Sequence, residues 1–123
     1  GDDVFGDDPT VRALEEETAE LCGKPSALFV TSGTLSNQIA LRLHASVLQE
    51  VLCDHRAHIH VWEVGGIHHG GAAVAAAHPL PGERFLCEHA VREYARTDNC
   101  LYHQPVTSVL ALENTLNGAV MPL

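Results

Sequence analysis

Three segments of this chain carry residue types that do chemistry. The first is Ala27 to Asn37, A-L-F-V-T-S-G-T-L-S-N, an apolar run followed by a glycine between hydroxyl residues. A strand that turns directly into a helix presents the unpaired N–H groups of the first helical turn, and the helix dipole favours an anion there. Gly33 lets a phosphate approach the backbone, and Ser32 and Thr34 add hydroxyl donors. An ordinary βα turn with Ser/Thr capping fits the same residues. The second segment belongs to a set of nine histidines. His55, His58 and His60 follow a predicted strand end, and His68-His69 follow a Gly-Gly pair. Imidazole binds metal, moves protons or stacks on an aromatic group. The H-x-x-H-x-H spacing matches neither H-E-x-x-H nor a zinc finger, and no carboxylate completes a ligand set, so no metal site is expected. His60, His68, His69, His78, His89 and His103 read as solvated or capping residues. The third segment is Leu112 to Gly118, L-E-N-T-L-N-G. It puts polar residues at the carboxyl end of a strand, where open parallel sheets hold ligands; a strand followed by a plain Asn-Gly turn fits as well.

The elements that must position these groups alternate. Asp8 and Pro9 read as the N-cap and first residue of a helix, with Val11, Leu14, Thr18, Leu21 and Cys22 on its apolar face and Gly23 as its stop. Ser26–Thr31 suits a buried strand, and Leu35, Ile39, Leu43 and Val47 mark a second helix. Glu50–Asp54, Ala72–His78 and Ser108–Glu113 are further strand candidates. Cys87–Ala95 reads as helical, and so does Trp62–Gly71, though its glycines weaken the pattern. Strand–helix alternation of this kind predicts an α/β fold with a parallel sheet covered on both faces.

Composition narrows the function classes. With 123 residues, 46% hydrophobic and 19% charged, the chain is one globular domain, 1–123. Seven Lys+Arg against sixteen Asp+Glu give a net charge of −9, which argues against a nucleic-acid or membrane-surface partner. The apolar run Gly70–Ala77 is too short to span a bilayer. Of four cysteines no two form C-x-x-C, and Cys22, Cys53 and Cys87 sit in apolar runs, so they read as reduced, partly buried thiols of a cytosolic protein. Lys24 is the single lysine.

Taken in order, these blocks resemble the threonine aldolase family of pyridoxal-phosphate enzymes, within the β-eliminating lyase group. The resemblance rests on G-D-D-V-F-G-D-D-P-T at Gly1–Thr10, the run L-C-G-K-P-S-A-L-F-V-T-S-G-T-L-S-N-Q ending at Gln38, L-C-D-H-R-A-H-I at Leu52–Ile59, E-V-G-G at Glu63–Gly66 and L-E-N-T-L-N-G at Leu112–Gly118. It implies an incomplete three-layer parallel-sheet sandwich, part of the large domain of a fold-type-I enzyme. It implies that Ser32, Gly33 and Thr34 grip the cofactor phosphate, and that His58 stacks on the pyridine ring and serves in catalysis near the substrate's β-hydroxyl. The implied reaction is cleavage of threonine or allo-threonine to glycine and acetaldehyde by a cytoplasmic homo-oligomer, dimer or tetramer. Where many members carry a tyrosine this chain has Phe5, and where many bacterial members carry a histidine it has Leu116. The family's cofactor-bearing lysine lies in an S-K-G segment, and a D-G-A-R segment supplies an aspartate and an arginine; these 123 residues hold neither. The chain thus resembles roughly the first third of such an enzyme and is expected to be inactive alone. A non-catalytic interaction fragment of the same fold and a histidine-rich metal-binding module are the alternatives.

Overall fold

A computed structural model of the protein describes residues 3–97 and 103–122. It forms two compact units, Gly1–Gly33 and Thr34–Leu123.

The first unit is built on helix α1, Pro9–Leu21. Asp8 caps it as its sequence position predicts: the carboxylate accepts from the N–H groups of Thr10 at 2.9 Å and Val11 at 3.1 Å. Those two amides hold the Asp8 carboxyl below its ordinary range. Gly23, at φ 61°, ends the helix in the left-handed conformation that a glycine adopts without strain. The predicted apolar face is not buried. Ala19 is the buried residue of α1, whereas Leu14 is 49% and Leu21 88% exposed, and the Cys22 thiol is exposed rather than partly buried. Nor do residues 26–31 form the predicted strand. A strand needs a ladder partner; here the Phe29 N–H donates to the Glu15 carboxylate at 2.7 Å, and Leu28 stands exposed.

The second unit holds a parallel sheet. Helix α2, Gly33–His44, precedes strand β1, Glu50–Asp54. Two short helices, α3 at His58–Val61 and α4 at Gly66–His69, lead to β2, Ala73–Ala77. Helix α5, Glu88–Tyr94, leads to β3, Thr107–Ala111. The strand order is β2-β1-β3, with both pairings parallel, Leu52 aligned with Ala75 on one side and Leu110 on the other.

The central strand is buried along its whole length. Leu41 and Ala45 from α2 and its end, Ile59 from α3 and Ile67 from α4 pack with Val51 and Cys53. At β2 the packing comes from α4 and from α5, whose Ala90 is fully buried. This is the buried central strand of a sheet covered on both faces, as expected of part of a fold-type-I large domain. The second helix differs from its sequence reading at its end: it stops at His44, leaving Val47 outside it and 67% exposed, and its buried residue is Leu41 rather than Leu43. The stretch Trp62–Gly71 is not one helix, because a turn through Val64 and Gly65 at positive φ separates α3 from α4.

At the lower end of the sheet Glu50 is buried. Its carboxylate accepts from the Thr107 hydroxyl at 2.8 Å and pairs with the Arg96 guanidinium, tying the start of β1 to the start of β3.

Candidate active site

The carboxyl end of β1 carries the polar residues. Asp54 accepts twice from the Arg56 guanidinium, both at 2.8 Å, and once from the Arg56 N–H. Burial alone would raise the Asp54 carboxyl, but Arg56 outweighs it and holds it below the ordinary value. His55, next along, stacks on His78 from the end of β2, ring centroids 4.0 Å apart. Among the described residues no three His, Cys, Asp or Glu side chains are grouped to hold a metal ion.

His58 opens α3 and is anchored at two points. Its N–H donates to Glu113 Oε2 at 2.6 Å, which ties the helix start to the segment after β3. Its ring Nδ1 lies 2.9 Å from Glu63 Oε1. A carboxylate only accepts, so Nδ1 carries the proton of that bond, and Nε2 of the neutral ring keeps a lone pair. The His58 side chain is 47% exposed, so the ring has an open side; the Glu63 side chain is fully buried.

Glu63 was not singled out by residue-type reasoning, yet it is the hub. Asn37 Nδ2 donates to its Oε1 and Gln38 Nε2 to its Oε2, each at 2.6 Å. Burial would push this carboxyl up; the amides of Asn37 and Gln38, with His58, more than offset it and hold it below its ordinary value. Both amide residues lie on α2, one turn beyond Thr34. Within the second unit, therefore, the helix that begins beside Thr34 and the ring of His58 are joined through one buried carboxylate. The visible signal was the E-V-G-G block, whose single acid sits between apolar Trp62 and Val64.

Ser32 and Gly33 close the first unit and Thr34 opens the second; all three are exposed. No acidic residue lies in the first turn of α2, so nothing there repels an anion. A Cβ built on Gly33 would meet no atom within 4 Å, and its φ is not in the left-handed region. The chain's own packing does not demand glycine at 33; its absent side chain leaves bare backbone. Of the two positions where the residue type departs from the resemblance, Phe5 is exposed in the first unit and Leu116 is buried in the turn after β3. Lys24 is exposed just beyond α1.

A family profile described as Beta-eliminating lyase matches residues 1–123. Over 127 residues the chain is 39% identical to the low-specificity L-threonine aldolase of Candida albicans, covering 100% of this chain and 33% of that protein. The corresponding enzyme of Saccharomyces cerevisiae is also 39% identical over 127 residues, with 100% of this chain and 32% of the relative covered. The low specificity L-threonine aldolase of Escherichia coli strain K12 is 38% identical over 126 residues, covering 99% of this chain and 36% of its own length. The chain thus spans about a third of the length of the curated relatives it matches. The blocks that build the sheet and anchor His58 all lie inside the matched region, and the chain belongs to the beta-eliminating lyase family.

Proposed function

We propose that this chain is the cofactor-phosphate and histidine portion of a pyridoxal-phosphate-dependent aldehyde-lyase, acting on threonine or allo-threonine. The observation that carries the reading is His58: a half-exposed ring with one nitrogen bound to a buried carboxylate and the other open, in a chain whose relatives are named threonine aldolases. The residues fit the cofactor's chemistry. Ser32, Gly33 and Thr34 would take its phosphate at a helix start that is bare of side chain at 33 and free of acid in its first turn. The flat His58 ring would lie against the cofactor ring and meet the substrate's β-hydroxyl. When bound, pyridoxal phosphate would supply the sink for the electron pair released as the Cα–Cβ bond breaks. His58 Nε2 would accept the hydroxyl proton as the aldehyde forms.

The complete protein is proposed to be a cytoplasmic homo-oligomer. The thiols of Cys22, Cys53 and Cys87 are free, as a reducing compartment would keep them. Among the described residues no helix is long and apolar enough to cross a membrane.

The test is His58→Asn in the complete protein. Losing a positioned acid–base group lowers kcat by about 10²-fold or more, while His60→Ala and His69→Ala, both at exposed positions, stay near wild type. Cofactor absorbance in each variant separates lost loading from lost chemistry. Near-full turnover of His58→Asn with normal loading removes the catalytic role.

A further inference from the structure

We propose that Glu63 is a positioning residue that locks His58 in the tautomer with Nε2 unprotonated and fixes the ring against the start of α2, and that Gly66 is the clearance which lets it do so. The proposal rests on the reading of His58 given above.

Glu63 cannot itself reach a substrate, because its side chain is fully buried. Its carboxylate is held from inside the fold by Asn37 and Gln38 from α2 and by the His58 ring from α3. Two amides that donate to the two oxygens leave the carboxylate no freedom to rotate. The third contact, to Nδ1, then sets both the direction of the ring and which nitrogen bears hydrogen. Without Glu63 a half-exposed imidazole would turn about its side-chain bonds and populate both tautomers, and one of those has no lone pair at Nε2.

The backbone around Glu63 serves the same placement. Val64, a β-branched residue, sits at φ 54° with its side chain in solvent, and Gly65 follows at φ 71°. This turn carries the chain from α3 into α4. A Cβ on Gly66 would lie 2.8 Å from Cδ and Nε2 of Gln38 and 2.9 Å from its Oε1. Those are the atoms of the amide that binds Glu63 Oε2. Gln38 has a flexible side chain and can retreat, but the retreat displaces the amide that holds Glu63 Oε2. Gly66 has no positive φ to require glycine; what glycine supplies at this position is the clearance for Gln38. Three residues of the E-V-G-G block thereby acquire distinct tasks: the carboxylate at 63, the turn at 65 and the clearance at 66.

The experiment uses the complete protein, with Glu63→Gln, Gly66→Ala and His58→Asn singly, and each of the first two combined with His58→Asn. Two readouts are taken: steady-state kinetics, and 15N spectra of histidine-labelled, cofactor-free protein, in which the His58 signal is identified by its loss in His58→Asn. We expect wild type to show His58 protonated at Nδ1. Glu63→Gln should show a mixture of tautomers and lower kcat by about ten- to a hundredfold with little change in KM. Gly66→Ala should move the same way by less. Neither change should lower turnover further in the His58→Asn background, because both act through that ring. An unchanged tautomer in Glu63→Gln overturns the proposal, and so does additive loss in the double variant. Retained turnover in His58→Asn overturns the catalytic reading of His58 instead, while the spectra still decide whether Glu63 sets the tautomer. If Glu63→Gln does not fold, Gly66→Ala carries the same two readouts, and a wild-type tautomer in it overturns the clearance role.

Discussion

Three thiols of one chain sit in different surroundings, and their reactivity follows. Cys53 lies in the fully buried middle strand; burial first, then the neighbouring carboxylates of Asp54 and Glu113, pushes its thiol up to about 11. At neutral pH almost none of it is thiolate, the form that reacts. Cys22 is exposed beyond α1. We predict that a disulfide reagent labels Cys22 in folded protein within minutes and Cys53 only after denaturation, checked by peptide mass mapping. Equal labelling rates would show that β1 is not buried. The carboxylate of Glu63 gives a second residue-scale expectation. Its folded value lies below the ordinary 4.5, so the unfolded chain binds the proton more readily. Its stabilising contribution is present above 4.5 and is lost as pH falls through the lower folded value. The melting-temperature gap between wild type and Glu63→Gln should therefore be widest near neutrality and close on acidification. The family resemblance, not residue type, singled out His58, and neither gave Glu63 a role. A lone acid between Trp62 and Val64 reads as solvent-facing, and only the fold reveals that Asn37 and Gln38 arrive to receive it.

Among the elements, β1 was legible because five consecutive residues, E-V-L-C-D, are bounded by helix and turn signals, and the structure keeps those limits. The cap of α1 was legible because Asp-Pro is a local signal that needs no tertiary partner. Residues 26–31 were misread for the opposite reason: apolar, β-branched composition predicts extension, but a strand also requires a neighbour to pair with. The division between α3 and α4 was illegible because it turns on Val64, a residue that local preference would not place in a left-handed turn. That conformation costs a β-branched residue about 1–2 kcal/mol, whereas glycine's extra unfolded-state freedom costs about 0.5–1 kcal/mol. Val64 is solvent-exposed and has no packing to lose. Val64→Gly is expected to leave stability unchanged or raise it by up to about 1 kcal/mol, measured by denaturant unfolding. A loss of 2 kcal/mol would mean that the valine makes contacts that its exposure does not suggest.

For the whole molecule, the surface is the informative quantity. Phe5, Leu21, Leu28, Leu43, Leu48 and Trp62 are each at least 65% exposed, and β2 and β3 both lie at sheet edges. Exposed large apolar side chains and unpaired strand edges each promote association. The 123-residue chain prepared by itself should self-associate at micromolar concentration, seen as a broad early peak in size-exclusion chromatography with light scattering. A sharp monomer with a cooperative thermal transition would contradict this. The net charge of −9 opposes aggregation but is screened by salt, so association should increase with ionic strength.

The strand order has a consequence for how the chain is made. β1 leaves the ribosome before either of its neighbours, yet it ends between them. Its Glu50 waits for a hydroxyl 57 residues further along, and for Arg96, before its charge is answered. Until Thr107 has been synthesised, the most buried strand of the sheet has one open side and a carboxylate without its hydroxyl partner. The nascent chain therefore passes through a window in which a chaperone or a protease meets β1 first, and the window closes only when β3 docks.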